Sequence, residues 1–110
     1  MASDVISVEE LRARLAAGLP TVLIDVRLGK VGTIPGAVPV PVTDLEDAPR
    51  EWDRDALLVV FCQHGRGASE YAQEVLREQG YPHVVRLLGG VDAWLAAGGP
   101  TAEPDDGGEG

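Results

Sequence analysis

Cys62 is the one cysteine of the chain, and Gln63-His64-Gly65-Arg66-Gly67-Ala68 separates it from a helical pattern that begins near Ser69. A lone thiol excludes an intrachain disulfide, a cysteine-based zinc cluster and any redox cycle with an internal resolving thiol. Whatever Cys62 does, it does alone or with a partner molecule. Directly upstream, Leu57-Leu58-Val59-Val60-Phe61 is an apolar, β-branched run, the pattern of a strand buried on both faces. A thiol at the carboxyl end of such a strand, followed by a short glycine-containing turn into a helix, faces backbone N–H groups and the positive end of the helix dipole. Those donors favour thiolate over thiol and can hold an anionic substrate, while Arg66 adds a formal cation. Gly65 and Gly67 permit close backbone approach that a Cβ would hinder. A cysteine at a strand end can also be a small buried hydrophobe. The joint occurrence of strand, thiol, two-glycine turn and helix favours the reactive reading. Glu70 counts against it, because a carboxylate near the helix start offsets positive potential wherever it points at the loop.

Other polar residues are weighed by the same logic. His64 lies two positions after the thiol and offers either a base or a thiolate partner, set against the tendency of adjacent loop side chains to diverge. Ser69 is read as a helix cap rather than a nucleophile, since no histidine and carboxylate stand at a recognisable spacing from it. Asp25 and Arg27 sit at the carboxyl end of another predicted strand, a place where catalysis could occur. Trp94 and Leu95 are expected in the core, Trp52 under the loop before the second strand, and His83 in a surface turn.

The elements that must position these groups are legible from periodicity. Ser7 stands three residues before Glu10 as a capping box, and Leu11, Leu15 and Ala16 continue a helix over residues 8–17 that Gly18 stops. Thr21 to Val26 is a second buried strand. Prolines 35, 39 and 41 forbid a helix and allow at most a short edge strand between the two. One or two helical turns are expected from Asp44 to Trp52. Tyr71, Ala72, Val75 and Leu76 mark the apolar stripe of the helix after Cys62, which Gly80 and Pro82 end. Val84 to Leu87 is a further strand, Gly89-Gly90 a turn, and Val91 to Ala97 a last short helix.

Buried strands alternating with helices point to an α/β fold with a parallel sheet. At 110 residues with 45% hydrophobic and 25% charged residues, the chain fits one domain, expected over residues 1–98. Residues 99–110 are expected to form a disordered, acidic, glycine-rich tail. Nine basic against 18 acidic residues give a net charge of −9, which argues against a nucleic-acid partner. No apolar run approaches the roughly 18 residues of a membrane span, and Met1-Ala2-Ser3-Asp4 is not a signal peptide, so a cytoplasmic protein without a membrane partner is expected.

The chain resembles the rhodanese family of single-domain type over residues 5–98. The landmarks are Asp25-Val26-Arg27 after the first buried strand, Ile34-Pro35-Gly36-Ala37, Cys62 through Gly65, Gly80-Tyr81, and Leu88-Gly89-Gly90-Val91-Asp92-Ala93-Trp94. The resemblance implies a five-stranded parallel sheet with helices on both faces. It also implies a Cys62 that takes a sulfane sulfur from an anionic donor such as thiosulfate and passes it, as a persulfide, to cyanide, a thiol or a protein acceptor. The amides of Gln63, His64, Gly65, Arg66, Gly67, Ala68 and Ser69, with the Arg66 cation, would hold the donor. Asp25 and Arg27 would be structural beside the site, and neither a metal nor an organic cofactor is implied. The loop departs from the family pattern of Cys, two residues, Gly, one residue, Arg, Ser: Gly67 takes the Arg place, Ala68 the Ser place, and Arg66 comes one position early. Counting back from Leu76 indicates one additional residue in or just after the loop. The segment from Arg27 to Gly32 is short, and Thr33 stands where a histidine normally precedes Ile-Pro-Gly-Ala. A phosphatase of the same fold would carry its loop Arg at the position of Ala68, which leaves phosphatase-like anion chemistry a minor alternative. The other alternative is a sulfur-carrier, regulatory or protein-binding module that does not turn over.

Overall fold

The computed structural model describes residues 4–28, 32–46, 52–64 and 67–102. Its strands are β1 (Val5–Ile6), β2 (Thr21–Asp25), β3 (Val38–Pro39), β4 (Leu57–Phe61) and β5 (Val84–Leu87), and its helices are α1 (Val8–Ala16), α2 (Ala68–Glu78) and α3 (Gly90–Ala96). The strands form one five-stranded sheet in the order β1-β5-β4-β2-β3, with every neighbouring pair parallel. β4 is central, paired with β2 from Thr21 opposite Leu57 to Asp25 opposite Phe61, and with β5 on its other side.

Alternation along β4 separates two apolar layers. Leu58, Val60 and Cys62 face the layer under α2, with Ala72, Val75 and Leu76, while Val59 and Phe61 face the layer under α1 and α3, with Leu11, Val91 and Trp94. A strand covered on both faces has no use for polar positions, hence its unbroken apolar run; each fully buried Val, Leu or Phe contributes about 1.5–3 kcal/mol. α1 begins as the capping box requires: the Glu10 N–H donates to Ser7 Oγ and the Ser7 N–H to Glu10 Oε1, each at 3.0 Å.

Several expectations are corrected. Leu95 is not in the core but 48% exposed: Trp94 turns inward, and one residue on, a seven-residue helix points its side chain to solvent. Tyr71 likewise leaves the stripe of α2, donating its hydroxyl to Glu46, which with burial and the acidic neighbours Glu46 and Glu78 pushes its pKa up. The stripe runs instead through Ser69, Ala72, Gln73, Val75 and Leu76. Leu15, at 36%, is also exposed, and α1 buries Val8 and Leu11. The turn expected from Asp44 is a single 3-10 turn at Val42–Asp44, and residues 47–51 lie outside the described residues. β3 is the short edge strand that the prolines allow, pairing only with β2. Trp52 is half-buried against the α2 layer with its ring 6.0 Å from that of Tyr81, and His83 is exposed.

Past α3 the chain is still held. Trp94 Nε1 donates to the Pro100 carbonyl at 2.6 Å, and Thr33 and Ala102 exchange backbone hydrogen bonds in an antiparallel bridge. Residues 103–110, the greater part of the expected tail, lie outside the described residues. Among the described residues no helix is long and apolar enough to cross a membrane.

Candidate active site

Cys62 is the first residue after β4 and is 6% exposed, its side chain packed with the α2 layer. Its Sγ lies 3.5 Å from the hydroxyl of Ser69, the second residue of α2, which is wholly buried. Ser69 is therefore not the helix cap expected from the sequence. That position falls to Gly67, with φ +74° and ψ −100°, a conformation that an L side chain rarely adopts. A serine hydroxyl both donates and accepts, so it serves a thiol as acceptor and a thiolate as donor. The thiol thus sits against the first turn of an eleven-residue helix, where N–H groups lack intrahelical partners.

Glu70 reaches back as the sequence warned. Its Oε1 accepts from the Gly67 N–H at 3.3 Å, which occupies one of the amides expected to hold an anion, and its Oε2 lies 3.5 Å from Arg86 Nη1. The Arg86 cation offsets that carboxylate. Gly65 and Arg66, the other loop glycine and the loop cation, lie outside the described residues.

The near half of the loop is held from the opposite side. The carbonyls of Cys62 and Gln63 accept the N–H groups of Val91 and Asp92, at 2.9 and 3.0 Å, from the first turn of α3. The turn before it needs Gly89: φ is +74°, and a Cβ there would stand 2.6 Å from that of Ala93. Gln63 Nε2 donates to Asp92 Oδ1 at 2.7 Å, and His64 Nδ1 meets Asp92 Oδ2. His64 is thus paired with a carboxylate on α3. The Gln63 amide, followed by His64, holds the Asp92 carboxyl below the ordinary aspartate range against the opposing effect of burial.

Asp25 and Arg27 form a closed pair one strand away. Arg27 Nε and Nη2 approach the two Asp25 oxygens at 3.0 and 2.8 Å, and Thr33 Oγ1 donates to Asp25 Oδ2 at 2.8 Å. Both side chains of the pair are about nine-tenths buried, at 8% and 10% exposure. The remaining Arg27 nitrogen, Nη1, donates to Gln63 Oε1 at 2.9 Å, and that bond ties the pair to the residue after Cys62. Among the described residues no three His, Cys, Asp or Glu side chains converge as metal ligands. A groove of about 580 Å³ opens at the other end of the sheet, beside Val5, Leu57 and Val84, the first residues of β1, β4 and β5.

The role of Asp92 escaped sequence reasoning, as did the side-chain contact of Ser69, expected at the site through its amide alone. Asp92 is separated from Gln63 by 29 positions, and no local pattern links them. The contact of Ser69 with Cys62 had a usable signal: the count back from Leu76 that indicated one extra residue moves the serine place from Ala68 to Ser69.

The description of the rhodanese-like domain family matches residues 7–97. The chain belongs to the rhodanese-like family. A sulfurtransferase of Allochromatium vinosum is 33% identical over 100 residues, spanning 88% of this chain and 92% of its own length. Human thiosulfate:glutathione sulfurtransferase is 35% identical over 107 residues, spanning 82% of this chain and 91% of its own. Among solved structures, the Alr3790 protein of Anabaena sp. superposes with a TM-score of 0.79 at 34% identity, covering 92% of this chain and 82% of that one. In this rhodanese-like domain, Cys62 stands at the carboxyl edge of the central strand, the side of an open parallel sheet on which ligands bind.

Proposed function

We propose that this rhodanese-like domain is a sulfurtransferase with Cys62 as its nucleophile. The observation that carries the reading is the sulfur of Cys62 at the end of the central strand, 3.5 Å from a buried hydroxyl in the first turn of α2. The names of the relatives, sulfurtransferase and thiosulfate:glutathione sulfurtransferase, support the same class of reaction. In the first half-reaction the Cys62 thiolate attacks the outer sulfur of an anionic donor such as thiosulfate. The donor's S–S bond breaks, its electron pair leaves with sulfite, and a Cys62 persulfide anion remains. In the second, a nucleophile such as cyanide or a deprotonated thiol attacks the outer sulfur, and the electron pair of the enzyme's S–S bond returns to Cys62 Sγ. The Ser69 hydroxyl and the first-turn amides of α2 at Ala68 and Ser69 stabilise the charge on sulfur, and the same donors attract the anionic substrate. Asp25 and Arg27 keep the strand end rigid and hold Gln63. None of these steps draws on a metal or an organic cofactor.

One observation favours the carrier reading: the Glu70 carboxylate on the Gly67 amide places negative charge where a small anion would approach. The two readings separate at discharge. Intact-protein mass spectrometry after incubation with thiosulfate should show a gain of one sulfur that disappears on adding cyanide and is absent in Cys62→Ser. A gain that survives Cys62→Ser overturns the proposed nucleophile, and loading without discharge to cyanide or thiols identifies a carrier.

A further inference from the structure

Asp92 makes three contacts with the two residues that follow Cys62: its N–H donates to the Gln63 carbonyl, Oδ1 accepts from Gln63 Nε2, and Oδ2 meets His64 Nδ1. An aspartate in the first turn of a helix serves the helix dipole wherever its side chain points. Here both oxygens are instead turned onto the loop. The chemistry of the groups fixes the direction of each bond. Arginine only donates and an ionised carboxylate only accepts, so Gln63 has its oxygen on Arg27 and its nitrogen on Asp92, and His64 presents Nδ1–H to the carboxylate. Gln63 therefore links the buried Asp25–Arg27 pair at the end of β2 to the first turn of α3, with the Cys62 backbone between them.

We infer that Asp92 is a positioning residue for the Cys62 loop, holding Gln63 and His64 so that the thiol is presented in one geometry. The inference rests on the sulfurtransferase reading and adds to it a residue that touches neither sulfur nor donor. The Asp92 and His64 side chains are 50% and 72% exposed, and contacts of that kind add little to global stability. Their removal should register in the reactivity of the thiol rather than in the fold. Among the described residues, the charged and titratable groups in contact with this half of the loop are Asp92 and His64 themselves, Arg27 through Gln63, and the Cys62 thiol.

The test compares wild type, Asp92→Ala, Asp92→Asn, Gln63→Ala and the Asp92→Ala/Gln63→Ala double variant. The readouts are the rate of sulfur loading from thiosulfate, the pH profile of Cys62 alkylation by iodoacetamide, and the thermal midpoint. Asp92→Ala should load about tenfold slower, less than the roughly hundredfold that a misplacement of about 1 Å can cost, because the backbone contacts of Val91 and residue 92 with the loop remain. Its alkylation profile should shift while its melting stays near wild type. Asp92→Asn should recover much of the rate, because the carboxamide oxygen still accepts from Gln63. The double variant should be no slower than the slower single one, the signature of two residues acting as one unit. Wild-type loading and alkylation in Asp92→Ala overturn the inference, as do single-variant losses that multiply in the double. If wild type itself takes up no sulfur, the sulfurtransferase reading fails, and the alkylation profiles still decide whether Asp92 positions the thiol.

Discussion

β2 and β4 run side by side in register, and both leave the sheet at the same edge with a polar group at the turn, yet the two ends are built to opposite purposes. At the end of β2 the Asp25 carboxylate receives Arg27 in a two-pronged pair and the Thr33 hydroxyl as well. Both of its oxygens are engaged by Arg27 and Thr33. At the end of β4 the Cys62 sulfur meets a hydroxyl at 3.5 Å and the first turn of a helix, the kind of setting that favours charge on sulfur. The β2 end is a saturated ion pair, whereas the β4 end sets a buried thiol against a helix N-terminus, the position that the proposed chemistry needs.

The comparison can be broken at its two poles, where the largest effects are expected. Cys62→Ser should abolish sulfur loading while leaving the fold intact, at a stability cost of about 1–3 kcal/mol for a hydroxyl placed in the apolar layer. Arg27→Ala should do the reverse in kind. It strands a buried carboxylate, and the loss of one partner of such a pair costs about 3–5 kcal/mol, measured by urea denaturation. A loss under about 1 kcal/mol would mean that Thr33 and the backbone alone suffice for Asp25, and the β2 end would then be less closed than its geometry indicates.

An intermediate effect is expected at Ser69, whose hydroxyl lies 3.5 Å from the sulfur. Ser69→Ala removes it from a fully buried position. Loading should slow by about ten- to a hundredfold, less than the roughly hundred- to thousandfold of a preorganised oxyanion donor because a contact to sulfur at 3.5 Å is longer, at a stability cost of about 1 kcal/mol. Unchanged loading with unchanged stability would leave the helix amides alone to stabilise charge on Cys62.

How much of this was legible in the sequence follows from the range of the interactions involved. β2, β4 and β5 announce themselves because strands buried on both faces need continuous β-branched runs, and the capping box of α1 is a four-residue pattern. β1 is two residues long and is a strand only because β5 lies beside it. Leu95 and Tyr71 mislead because hydrophobicity states what a side chain prefers, and neither short α3 nor the first turn of α2 offers a buried surface at that angle. The thiol at the end of its strand and the helix that follows were readable together, whereas the frame around them was not. Ser69 faces Cys62 because the loop carries one extra residue, and Asp92 reaches Gln63 and His64 only because the sheet order brings the end of β5 beside the end of β4.

The smallest effect expected is also the sharpest probe of the frame that holds Gln63. Hydrogen bonding from Gln63 is the largest influence lowering the Asp92 pKa, with His64 assisting and burial opposing. A carboxyl whose pKa is lower in the folded than in the unfolded chain contributes stability that is fully present above the unfolded value. That contribution is lost as pH falls through the folded one. The contacts of Asp92 with the loop should therefore persist through mildly acidic pH and fail only below the ordinary aspartate range, with a shallow effect on overall stability because the carboxylate is exposed. Carbon-detected NMR of the Asp92 carboxyl should give a titration midpoint below the ordinary value in wild type. In Gln63→Ala the midpoint should move back up, since the leading cause is removed and the opposing burial remains. A midpoint at the ordinary value, or one indifferent to Gln63, would show that Asp92 and Gln63 do not hold each other in solution, and the loop beside Cys62 would then be secured by the backbone contacts of α3 alone.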